Sequence, residues 1–453
     1  MMALVVIADR MPQRSLTQGS VPAALARLTA PMVMGVASTI LVQTLEMGFI
    51  GQLSTRHVAA ITFTFPLAMV LTSIALGISI GTSSVIARSV GSGEQSDVAR
   101  LGTHSLLLVS VSMAVLSGIA WFSIDPIFSA IGADSETMPL IHSYLDIYLP
   151  GTVLFTVTMI GSSIMRANGN ANIPGLVMTA GAFFNLLLDP ILIFGWFGLP
   201  RLELAGAATA MTITRVATTA VILYFVHRGS MIHTQRLFAD FFVSARRIMH
   251  VGVPAMATQL IGPVTALFIT GMLAAHGEVV VAGYGVASRL EAVAALMLFA
   301  LSGSIGPFVG QNWGAKSTER VRLGVRAAYM FSMSYGFAVA LPLIIFGDTI
   351  ASWINDEPEV VAVAAFYLAV VPWSYGSWGV LMMASASFNA LGKPLPSTVL
   401  SFMRMFVVYL PMAALMNQAF DYKGIFVATM ISNALLGFVG WWWFKRQLGQ
   451  LSA

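Results

Sequence analysis

Apolar runs of about 19 to 30 residues recur from one end of this chain to the other, each long enough to cross a hydrocarbon core of roughly 30 Å as a helix. Twelve can be read: Thr29 to Ile50, Val58 to Ile86, Thr103 to Trp121, Leu140 to Met165, Ile173 to Phe197 and Leu204 to Val226 in the first half. The second half holds Ile248 to Ala275, Val280 to Val309, Ala327 to Phe346, Val360 to Ala390, Pro396 to Met416 and Ile425 to Trp443. With 57% hydrophobic and only 9% charged residues, the composition fits an all-α, polytopic membrane protein.

Numbering the runs as spans sorts the loops into two sets of different charge. The N-terminus, the even loops and the C-terminus hold seventeen of the twenty-three Lys and Arg residues, among them Arg10, Arg14, Arg88, Arg100, Arg236, Arg246, Arg247 and Arg320. The odd loops hold three cations and most of the loop carboxylates. By the positive-inside rule both termini are expected in the cytoplasm, which supports an even span count independently of hydropathy. The net charge of +4 is explained by this loop placement, so no nucleic-acid partner is implied. The opening MMALVVIADR has too short an apolar run for a signal peptide and no cleavage pattern follows it, so the mature chain is expected to start there. With no cysteine, disulfides and thiolate metal sites are excluded, and the seven histidines show no metal-ligand spacing.

The two halves repeat. Pro31 and Pro254 open spans 1 and 7, Gly91 and Gly314 follow spans 2 and 8, and Gly169 and Gly392 follow spans 4 and 10, each pair separated by 223 residues. Six spans per repeat is an even number, so both halves insert in the same orientation, as in parallel-repeat transporters with a substrate cavity between the halves. The expected division is an N-terminal lobe over 1–227, a cytoplasmic linker over 228–247 with a short interfacial helix at LFADFF, and a C-terminal lobe over 248–453.

Inside this apolar chain two carboxylates stand out, Glu46 in span 1 and Asp189 in span 5. A charge kept within a membrane segment is a functional hypothesis by default. Both spans run outward; Glu46 and Asp189 each lie about 25 Å along their helices, so the two acids are level in one lobe. Desolvation favours the neutral form of a carboxyl group, and a second carboxylate nearby favours it further, which suits a site that takes up and releases protons. Asn185 lies four residues before Asp189 on the same helix face and can donate an amide hydrogen bond to it. Pro190 supplies no N–H to the carbonyl of Leu186 and so weakens the helix beside the acid; Pro31 lies at or just inside the N-terminal end of span 1, where proline costs little. The bland alternative for Glu46 is a structural acid that snorkels to water.

The segments TLEMGFIGQL, ARSVGSGE, RANGNANIP, NLLLDPILIFG, LAGAATA and VGQNWGAK resemble multidrug and toxic compound extrusion (MATE) transporters over nearly the whole chain, and NLLLDPILIFG resembles the DinF-like branch. The resemblance implies two six-helix lobes around a central cavity, and export of organic cations or other amphipathic compounds against an inward proton or sodium flux. It implies coupling roles for Asp189, Asn185 and, from span 4, Tyr144, and a bending of span 1 when the lobe's carboxylate is protonated. Glu46 stands where the family usually has Asp. It also implies the inner membrane as location and no cofactor beyond the coupling ion, H+ or Na+. The chain is expected to act as a monomer among membrane lipids.

Three cations fall within spans. Arg215 in span 6 lies about 16 Å from the outer edge; an ion pair with the acids and a structural tether fit it equally. Arg289 and Glu291 in span 8 are two residues apart and face different sides, a weak signal for a polar site in the second lobe. Arg404 in span 11 is close enough to the cytoplasmic edge to snorkel. The positions matching Glu46 and Asp189 in the second half are Ile269 and Met412, so coupling is expected in the first lobe alone. No P-loop, HExxH or GxSxG occurs, so ATP-driven transport within this chain and hydrolase chemistry lack support. A lipid-linked oligosaccharide flippase of the same superfamily, and an uncoupled channel or receptor, remain as alternatives.

Overall fold

The computed structural model describes residues 15–233 and 238–452. The opening MMALVVIADR with Arg10 and Arg14, and Arg236 in the expected linker, lie outside the described residues. Within them all regular structure is helical: α1 (Val21–Gly51), α2 (Thr55–Ser92), α3 (Gln95–Phe122), α4 (Ile124–Ala130), α5 (Met138–Ala167), α6 (Asn172–Phe194), α7 (Glu203–Arg228) and α8 (Phe241–Ala274). Then come α9 (Glu278–Ala294), α10 (Leu296–Gly314), α11 (Thr318–Ile345), α12 (Gly347–Ser352), α13 (Pro358–Val370), α14 (Tyr375–Ala390), α15 (Leu395–Phe402) and α16 (Leu410–Ser452).

Among the described residues ten helical stretches are long and apolar enough to cross a membrane, and α9 with α10, bent by 46°, supply an eleventh. The last of the ten, Leu395–Gln450, is 56 residues long and breaks at Phe420 (φ −135°, ψ 18°) and Asp421 (φ 52°, ψ −151°), which divides it into two spans and completes the expected twelve. Breaks within the other spans have local causes. Pro372 sits in the 3-10 turn Val371–Ser374 that interrupts α13 and α14, where the ring removes a backbone donor. Between α15 and α16 the residues Met403–Tyr409 wind as a π-helix, a geometry that recurs at functional positions.

One expectation needs correction. Span 1 begins at Val21 rather than Thr29, so Pro31 lies well inside α1 and not at its end. The helix runs on through it, with Arg27's carbonyl lacking the N–H that a non-proline would give. At this level α1 and α6 come together closely: a Cβ on Gly175 would lie 2.4 Å from the carbonyl oxygen of Pro31. Only glycine allows that approach, and close backbone contact through small residues is how membrane helices gain dispersion energy without a hydrophobic drive.

By compactness the chain falls into two units, one of Ala30–Met256 and the other of Leu16–Thr29 with the chain from Ala257 onward; the division runs within α1 and α8. In the first unit α5 is central, packed on α7, α2 and α3, while α6 packs on α7. In the second unit the corresponding spans pair alike: α14 packs on α16, α10 and α11. The sequence repeat is thus a repeat of packing. The segment before α1 is tied into the second unit by Arg320, whose guanidinium donates to the carbonyl oxygens of Gly19 at 2.9 Å and Leu16 at 3.1 Å.

Candidate ion-coupling site

Glu46 and Asp189 each lie five residues before the C-terminal end of their helices, α1 and α6. Both are buried, Asp189 completely and Glu46 to 7% exposure. Neither forms a salt bridge among the described residues. Their charges nonetheless act on each other, and both act on Tyr144, a buried residue of α5.

Asn185, one turn before Asp189, donates from Nδ2 to Oδ2 of the acid at 2.8 Å. The other oxygen of the acid, Oδ1, and the amide oxygen of Asn185 are both buried with no hydrogen-bond partner. Stranding a buried acceptor costs about 1–3 kcal/mol, and more when it is charged. A proton on Asp189 removes the charge; without one, an ionised oxygen stays dry and unpaired. Pro190, also buried, follows directly, and leaves the carbonyl of Leu186 without its helical donor.

Arg215 of α7 is buried and sits between rings rather than between carboxylates. Its guanidinium carbon lies 4.6 Å from the centroid of Tyr148 and 5.3 Å from that of Phe155, and Nη1 donates to the carbonyl oxygen of Tyr148 at 3.4 Å. Of the two roles open to it, the contacts are those of a tether, although its charge still reaches Glu46 and Tyr144. Tyr148 also stacks on Tyr144, with centroids 5.3 Å apart and planes at 19°. Tyr144 is linked to the tethered Arg215 in this way, through one intervening ring.

Sequence alone did not single out Tyr148 and Gly151, and marked Phe155 only as one of several residues that could line a cavity. Their signal was there: with Tyr144 they recur at helical spacing, so one stripe of α5 carries two phenols, a gap and a phenyl ring. The gap matters, because a Cβ on Gly151 would lie 2.6 Å from Oγ1 of Thr212 and 3.3 Å from Nη1 of Arg215. Glycine here makes room for the guanidinium.

The second unit contains a polar cluster of different composition from the one expected. Glu291 on α9 accepts hydrogen bonds from Tyr367 Oη at 2.6 Å and Tyr375 Oη at 3.3 Å. Arg289 does not join it and is exposed, as the spacing of two residues dictates. The cation that acts on Glu291 is Arg404. It does not snorkel outward: it is half-buried and donates from Nη1 to Oδ1 of Asn433 at 3.0 Å, and Asn433 donates to Ser374 Oγ at 3.3 Å. Among the described residues no three metal-binding side chains gather in either unit.

A repeated six-span unit with a buried carboxylate pair has relatives. The MatE family model matches the chain twice, over residues 31–191 and 254–415, so that the copies begin at Pro31 and Pro254. The chain belongs to the MatE family. It is a multi-pass membrane transporter and not an enzyme. A FAD transporter of Shewanella oneidensis is 32% identical over 93% of this chain and 94% of its own length. The multidrug export protein MepA of Staphylococcus haemolyticus is 24% identical, with 93% of each chain covered. Among solved structures, the Vibrio cholerae MATE transporter VcmN in its bent form superposes with a TM-score of 0.90 at 30% identity, covering 95% of this chain and 97% of that one. This MatE protein carries the family's repeat once in each half.

Proposed function

We propose that this MatE transporter exports organic cations or other amphipathic compounds in exchange for protons carried by Glu46 and Asp189. The observation that supports it best is the buried acid Asp189, held at one oxygen by Asn185 and bare at the other. Such a group binds a proton with no further ligands, whereas a metal cation calls for several oxygens at once. In the proposed cycle, substrate is taken up while the pair is at least partly ionised, and protons from the far side neutralise it. Neutral acids no longer repel each other or attract Arg215, so α1 repacks against α6 near Pro31 and Gly175, and substrate leaves. Proton release to the cytoplasm resets the cycle. The transporter sits in the cytoplasmic membrane with both termini inside, uses no cofactor beyond the coupling ion, and works as a monomer.

A second assignment of cargo is favoured by one finding: the relative with 32% identity is a FAD transporter, while the multidrug relative MepA stands at 24%. On that basis the cargo would be a flavin dinucleotide, an anion with a large aromatic ring. Reconstitution into liposomes with separately imposed pH and sodium gradients, following efflux of a fluorescent organic cation and of FAD, tests both. Efflux of the cation driven by the pH gradient supports the first proposal. Efflux of FAD alone would replace the cargo, and drive by sodium alone would overturn proton coupling.

A further inference from the structure

Away from the acid pair, the first unit has a cavity of about 560 Å³ lined by Arg88, Val243, Arg246, Arg247, Met249 and His250. Val243, Arg246, Arg247 and His250 follow i, i+3, i+4, i+7 spacing and therefore share one face at the start of α8. Arg88, in the last turns of α2, faces them closely enough for its charge to act on Arg247. Like charges gathered around a hollow call for an anion.

The neighbouring carboxylates meet that need only at Arg247 and Arg100, and not at Arg246. Asp97 accepts from Arg100 at 2.7 Å and from Arg247 at 2.9 Å, and Asp240 reaches Arg100 at 3.4 Å. Arg100 and Arg247 thus share Asp97, and Arg246 has no ion pair among the described residues. The cavity wall is also part apolar, through Val243 and Met249, which free inorganic phosphate has no use for.

Where the cavity lies decides the kind of anion. Helix α2 has 38 residues and is therefore roughly 57 Å long, well beyond the hydrocarbon thickness of about 30 Å, so its Arg88 end stands at headgroup depth. Beside it Phe238, Phe242 and Val243 are 75%, 86% and 55% exposed. Phe241, by contrast, packs edge-on against His104, with centroids 5.5 Å apart, and pins the start of α8. Rings projecting into acyl chains beside a cationic hollow match the pattern of an interfacial anchor.

We propose that Arg88, Arg246, Arg247 and His250 bind the phosphate of an anionic phospholipid headgroup, with Phe238, Phe242 and Val243 packed among its acyl chains. Native mass spectrometry of the purified full chain, offered phosphatidylglycerol or phosphatidylcholine, tests it. Preferential retention of phosphatidylglycerol is expected, weakened roughly tenfold or more in the Arg88→Gln/Arg246→Gln double variant, since each surface cation is worth about 1 kcal/mol toward an anionic lipid. Arg322→Gln, at an exposed arginine in the second unit, should change nothing. Arg246→Gln alone keeps the test valid should the double variant fail to fold, and should weaken retention severalfold. Phe238→Ser/Phe242→Ser should weaken it too. Equal retention of the two lipids, or retention unmoved by Arg246→Gln, would overturn the proposal. Displacement of phosphatidylglycerol by inorganic phosphate, with no effect of the phenylalanine variants, would also overturn it and leave a free-anion site.

Discussion

Asn185 and Asp189 stand one turn apart on α6 and share one hydrogen bond of 2.8 Å, while the far oxygens of both side chains are buried without partners. The amide fixes the carboxyl group in place and leaves one oxygen open. Fixed geometry with an unpaired acceptor is what a reversible proton carrier needs, and it is a poor choice for a purely structural contact.

Replacing Asp189 with Asn preserves shape and removes the titratable group. Coupled export should fall to background, by a hundredfold or so if no other acid carries the proton, with normal membrane insertion and an unchanged thermal melting profile. Glu46→Gln should impair export, whereas Glu46→Asp should be tolerated. Transport assays on matched amounts of reconstituted protein check all three.

The tether of Arg215 predicts a ring requirement at Tyr148. Tyr148→Phe keeps a π-face under the guanidinium and should retain most transport. Tyr148→Leu loses it, at about 2 kcal/mol for a desolvated cation–π pair, and should lower both transport and melting temperature. Arg215→Lys should not preserve function, because a compact ammonium cannot span two rings and the Tyr148 carbonyl.

Gly151→Ala places a methyl group 2.6 Å from Oγ1 of Thr212. Overpacking of this kind costs about 1–3 kcal/mol, so the melting temperature should drop. Adding Thr212→Ala should restore part of it, and a double-mutant cycle measures the coupling.

How much of this was open to a reader of sequence follows the range of each interaction. Span length, loop charge and the repeat are local or periodic properties, so the twelve spans, the matched positions of Glu46 and Asp189, and the Asn185 contact one turn away were all legible. The start of α1 at Val21 was not, because hydropathy marks where a helix enters apolar surroundings and not where its hydrogen bonds begin; Pro31 was misplaced for that reason. Contacts between distant spans were hidden as well. Nothing local joins Glu291 to Tyr367 and Tyr375, which are 76 and 84 residues away, or turns Arg404 toward Asn433 and away from the interface.

That second cluster gives a further expectation. Glu291→Gln keeps an acceptor for both phenols, so if coupling resides in the first unit, the proton-to-substrate ratio should be unchanged. Measuring substrate flux and proton flux together in proteoliposomes would reveal any shift in that ratio, which would make Glu291 a second carrier.

The most direct measurement of the central claim is proton movement itself, recorded with a pH-sensitive dye trapped in sodium-free proteoliposomes while an organic cation gradient is imposed. Unmodified protein should move protons opposite to the substrate, and Asp189→Asn protein, inserted equally well, should move none. Proton movement that persists in Asp189→Asn, or substrate flux that requires sodium and moves no protons, would contradict it.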